Sequence, residues 1–115
     1  MKLAEALRII QSAPKESPPF RVLFVCGYTP LHVQTFLTAH LQKSLPQRKV
    51  EVTAGLYGDV TGTLRGVTES GLHAVAVSLE WADLDPRLGF RQLGGWGVKE
   101  LTDITGTISM RLGWI

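Results

Sequence analysis

The run Phe20-Arg21-Val22-Leu23-Phe24-Val25-Cys26-Gly27-Tyr28-Thr29-Pro30 constrains this chain more than any other segment. From Val22 to Cys26 the residues are apolar without a break and rich in β-branched and aromatic types, the pattern of a strand buried on both faces. Gly27 permits a tight turn. Thr29 and Pro30 then read as a helix start, an N-cap hydroxyl followed by proline at the first helical position. Val33, Phe36, Leu37, Leu41 and Leu45 follow on one helical stripe. A buried strand that passes through a glycine turn into a helix is where α/β proteins hold anions and nucleophiles, because the first amides of the helix lack partners.

The rest of the composition narrows the class. At 115 residues and 44% hydrophobic, the chain is long enough for one domain with its own core. A formal charge of +2, with no lysine or arginine cluster, leaves no basic footprint for nucleic acid. The lone Cys26 excludes an internal disulfide framework and suits a reducing cytosol. Glu5 and Arg8 interrupt the apolar residues of the N-terminus, and no segment approaches a membrane span. A cytoplasmic protein without membrane contact is expected.

Leu3, Ala6, Leu7 and Ile10 predict a short amphipathic helix within residues 1–13. Residues 14–19, with three prolines, form a linker to an α/β domain over residues 20–115. Lys49 to Gly55 alternates as a second strand, residues 61–70 read as a second domain helix, and Leu72 to Leu79 is a third, apolar strand. Glu80 to Arg87 leaves that strand as a polar loop with one tryptophan. Val98, Leu101, Ile108 and Leu112 recur at helical spacing towards the C-terminus. Alternating strands and helices imply a parallel sheet with right-handed crossovers in the order 2-1-3, a three-layer Rossmann-like or flavodoxin-like arrangement. Three strands are few for such a sheet, and the third is too apolar for an open edge. The sheet is therefore expected to be incomplete, as the front part of a longer domain or with its edge covered by another chain.

The strand ends gather the candidate chemistry. Cys26 is a small strand residue or, beside a helix N-terminus, an activated thiol. Thr29 is a cap or a hydroxyl nucleophile that would need a base beside it. His32 lies in the first turn of the helix, His40 beside its apolar stripe, and His73 opens the third strand; none has metal-ligand spacing, and no cofactor is implied. Gly27, Tyr28, Thr29, Gly58, Asp59, Glu80 and Trp81 all follow strand C-termini, the side on which parallel sheets bind ligands. The bland reading of the last four is that Asp59 caps a helix and Trp81 fills space beneath its loop. No Gly-x-Gly-x-x-Gly or phosphate-loop motif is present.

Arg21 to Thr29, Gly55-Leu56-Tyr57-Gly58-Asp59 and Ala74 to Trp81 together resemble the start of an SGNH (GDSL-like) hydrolase domain. The resemblance is closest to the N-terminal domain of FkbH-like proteins, which accompany a HAD-type phosphatase domain in glyceryl-unit loading, and covers residues 20–90. It implies that Gly27-Tyr28-Thr29 occupies the place of the Gly-Asp-Ser nucleophile turn, with tyrosine for aspartate and threonine for serine. Gly58 would supply an oxyanion-hole amide. Ser78-Leu79-Glu80-Trp81 stands where the family has Gly-x-Asn-Asp, without the asparagine, and the final Asp and His block has no counterpart. The resemblance thus implies transfer or hydrolysis of an acyl, glyceryl or polyol group on a small-molecule or carrier-bound substrate, and only within a longer protein. Two other readings stand beside it: a non-catalytic module that docks on a partner chain or on itself through the edge at residues 74–79, and a small-molecule domain that holds an anion at a helix N-terminus.

Overall fold

The computed structural model describes residues 1–55, 59–67, 71–92 and 94–115. Helix α1 spans Leu3–Gln11, strand β1 Pro19–Cys26, helix α2 Leu31–Ser44, strand β2 Lys49–Ala54, helix α3 Val60–Arg65 and strand β3 Ala74–Ser78. A short helix α4, Trp81–Leu84, and three single 3-10 turns lead to helix α5, Leu101–Leu112. The three strands form one open parallel sheet in the order β2-β1-β3. Val22 lies opposite Val52 and Ala74, and Phe24 opposite Ala54 and Ala76. This is the Rossmann-like α/β arrangement that the apolar runs predict.

Alternation along β1 sends Val22, Phe24 and Cys26 to one face and Leu23 and Val25 to the other. Val22, Phe24, Val25 and Cys26 are all buried, so the central strand is covered on both sides. Helix α2 packs on β2 and α1 packs on α2, whereas α3 packs on β1. Ala6 and Ala39 are fully buried, the small side chains that a close crossing of α1 and α2 requires. The α3 layer is thin. Gly62 lies within this six-residue helix and Gly66 closes it, and a groove of about 470 Å³ remains between it and Leu23, Thr53 and Leu72.

Three local expectations are corrected. Helix α2 begins at Leu31, with Pro30 at the cap: the Gln34 amide donates to the Pro30 carbonyl at 2.9 Å, so Thr29 stands one residue outside and is exposed. The predicted stripe on α2 is only partly covered, with Phe36, Leu37, Leu41 and Leu45 half-buried and Val33 exposed. The helix divides its contacts between β2 and α1, so its deeply buried residues are Ala39 and Gln42. Gln42 closes the turn into β2: its Nε2 donates to the carbonyls of Arg48 (2.7 Å) and Leu45 (3.2 Å), and its Oε1 accepts from the Val50 amide at 2.9 Å. The expected loop after β3 instead coils into α4, because the Asp83 carboxylate accepts from the Glu80 amide at 2.8 Å and so satisfies a helix-start donor.

The molecule is extended. It measures 57 × 33 × 20 Å, with a radius of gyration of 17.4 Å, against about 13 Å for a compact chain of this length. Much of its apolar surface is therefore only half covered. Phe24→Ala should cost about 3–5 kcal/mol in urea unfolding, the range for a buried aromatic, whereas Leu37→Ala should cost under about 2 kcal/mol. Gln42→Ala should cost about 1–3 kcal/mol, because it strands a buried amide and two carbonyls.

Candidate functional site

In a 2-1-3 sheet the strand order reverses between β1 and β3, and the crevice at the C-terminal ends of those strands is the natural ligand position. The Tyr28 hydroxyl and the Ser78 hydroxyl bond at 2.7 Å and tie the two strand ends together. The buried Cys26 thiol donates to the Tyr28 carbonyl at 3.1 Å, which gives it a structural role in the turn. The Asp83 carboxylate lies where a Cβ on Gly27 would stand, so a larger residue there would have to displace it. Helix α4 thus seats its own carboxylate at the head of the crevice.

Beside it opens a cleft of about 380 Å³, lined by Asp59, Thr61, Arg65, Asp83, Arg111 and Trp114. Asp59 caps α3, accepting from the Gly62 amide at 2.8 Å. Arg111, from the end of α5, donates from Nη1 to the Asp83 carbonyl at 2.8 Å, and the Arg65 guanidinium lies 5.3 Å from the Trp114 ring centroid. Neither arginine makes an ion pair among the described residues. The cleft offers guanidinium donors and a tryptophan face beside two carboxylates already held by backbone amides, a mixed polar surface with no nucleophile and base in contact.

Only some of the expected residues meet here. Asp59 lines this cleft, and Gly27 reaches it through Asp83. Glu80 and Trp81 line a separate apolar hollow of about 370 Å³ with Ala82, Leu88 and Phe90. Thr29 is exposed, and among the described residues it is hydrogen-bonded to no histidine or carboxylate. Gly58 lies outside the described residues. His32 and His40 are exposed. His73 sits at the opposite end of the sheet, where it stacks on Phe20 at 5.2 Å and its Nδ1 accepts from the Arg21 amide at 3.0 Å. Arg65, Arg111 and Trp114 belong to no motif, and Asp83 falls within the expected polar loop, although its spacing from Glu80 is a helix-start pattern that could have found it.

A second polar cluster fixes the segment after α4. Asp85 is buried and receives the Arg87 guanidinium at 3.0 Å (Nε) and 2.6 Å (Nη2), while Arg87 also pairs with Asp103 of α5 at 2.8 Å. The Trp96 indole donates to the Arg87 carbonyl at 2.8 Å. The Arg87 guanidinium first, and then the Arg87 amide, act against the desolvation of Asp85 and lower its pKa to about 2.

Strand β3 forms one edge of the sheet. No strand among the described residues pairs with that edge, and Val75 and Val77 are 42% and 37% exposed. Helix α5, well placed in sequence to cover the edge, packs against α4 instead. No helix among the described residues is long and apolar enough to cross a membrane. Comparison with protein-family models, curated proteins and solved structures finds no match for the chain.

The lowered Asp85 pKa has a defined consequence. A depressed carboxyl stabilises the fold above its unfolded pKa, and that contribution is lost as pH falls towards the folded value. The Trp96 environment, followed by fluorescence, should therefore hold down to about pH 4 and loosen between about pH 4 and 2. Asp85→Asn should remove that acid step.

Proposed function

We propose that this chain is a non-catalytic α/β assembly module that docks on a partner chain through β3. The observation that supports this reading is the outer edge of β3, with which no strand among the described residues pairs and beside which Val75 and Val77 are open to solvent. Soluble proteins blunt an edge strand with lysine, proline, a bulge or a cover, because free amides and carbonyls recruit other strands. Residues 74–79 read Ala-Val-Ala-Val-Ser-Leu and contain none of these residue types. The extended shape adds to the argument, since a half-covered chain gains most from burial against another surface.

An extended peptide of alternating valine and threonine should slow hydrogen exchange at the amides of residues 75–79. Val75→Lys combined with Val77→Lys should abolish that protection and change stability by no more than about 1 kcal/mol, both side chains being exposed. Unaltered exchange in the unmutated chain at saturating peptide overturns the edge reading.

The group-transfer reading has support from one place, the Tyr28 to Ser78 bond that holds the ends of β1 and β3 together beside Thr29. In that reading Thr29 and the amides of Tyr28 and Gly58 bind the oxyanion or phosphate of an acyl, glyceryl or polyol substrate within a longer protein. A hydroxyl without a positioned base is a poor nucleophile. The chain itself should therefore show no appreciable turnover of an activated ester, and Thr29→Ala should change nothing. Robust hydrolysis lost in Thr29→Ala overturns the non-catalytic assignment.

A further inference from the structure

We infer that the strand that docks on β3 is the β3 of a second copy of this chain, paired antiparallel about a two-fold axis near Ala76. The inference rests on the edge-pairing reading above and names its partner.

Three observations select a second copy. The first is charge at the axis. In a two-fold interface each patch meets itself, so a charge near the axis would face its own kind. Residues 74–79 carry no charge.

The second is charge at the two ends. At the N-terminal end of β3, His73 Nε2 lies 3.3 Å from Arg48 Nη2. Arg48 has no ion pair among the described residues, so it stands beside His73 as an uncompensated cation. At the C-terminal end stands Glu80, exposed and likewise without an ion pair among the described residues. Antiparallel pairing centred on Ala76 sets Glu80 of each copy opposite Leu72 of the other, next to its His73 and Arg48, twice. Parallel pairing sets like beside like.

The third is the face. A two-fold axis normal to the sheet keeps corresponding faces of both copies on the same side. Centred on Ala76, it places Val75 of one copy opposite Val77 of the other. The four valines then close over one another as cross-strand pairs, which is the burial each copy lacks alone. The three strands of each copy join into one continuous sheet of ordinary size.

Sedimentation equilibrium of the full chain, together with oxidative cross-linking of Ala76→Cys, tests the inference. Cys26 is buried and stays silent, and Lys15→Cys in the exposed linker serves as the control. The expected result is a dimer in which Ala76→Cys links most of the chain and Lys15→Cys does not. Raising NaCl from about 0.05 M to about 0.5 M should weaken the dimer about tenfold, because the end charges are exposed and screened. Glu80→Lys should weaken it to a similar degree. A dimer that links no better at Ala76→Cys than at Lys15→Cys overturns this pairing. A monomer at every concentration whose edge is still protected by the alternating peptide overturns the second copy while edge pairing stands. A monomer that the peptide leaves unprotected overturns both.

Discussion

Strand β1 is the member of the sheet with hydrogen-bonded neighbours on both sides, and every layer of the fold is referred to it. Its register with β2 and β3 fixes which residues share a face. Val22, Phe24 and Cys26 go to one side and Leu23 and Val25 to the other. The helices then follow from where apolar surface remains. Helix α2 with α1 behind it covers one face, and the short, glycine-containing α3 covers part of the other. Once β1 is satisfied on both edges, β3 has no inward use for its outer backbone groups, and the openness of the molecule follows from that.

Polar side chains hold the corners that apolar packing leaves open. Gln42 meets three backbone groups between α2 and β2, Asp59 caps α3, and Asp85 locks Arg87 beneath the turns before α5. Each places a side-chain acceptor or donor where the backbone would otherwise be unpaired. Asp85 and Arg87 also link the C-terminal region in two steps, through Asp103 and through Trp96. The long axis of the molecule is thus stabilised less by a shared core than by discrete polar clasps, a design that suits a chain with thin layers.

What was legible in the sequence is what periodicity encodes. The unbroken apolar run of β1, its glycine turn and the alternation of β2 led to the parallel order 2-1-3 that is found. Periodicity failed where a residue acts through its own backbone or its polar end. Pro30 takes the cap from Thr29 because its carbonyl, not a hydroxyl, opens the α2 ladder. Gln42 is invisible to a hydrophobic stripe yet is more buried than Leu37 beside it. The cleft was half legible. Asp59 follows a strand, but Arg111 and Trp114 arrive from the last turns of the chain, and only tertiary packing of α5 on α4 brings them there.

The same packing shapes the strand-end crevice. A reacting group at the end of β1 needs open space above Gly27 and a base within hydrogen-bond reach. Here the space above Gly27 is taken by the Asp83 carboxylate, and Arg111 holds the Asp83 carbonyl from the far side. A reacting group above Gly27 would require the Asp83 carboxylate to withdraw, which breaks the Glu80 amide bond that starts α4. Pairing at β3 requires no such rearrangement, since its edge and its valines are exposed as they stand. Of the two roles, association asks less of this structure than catalysis does.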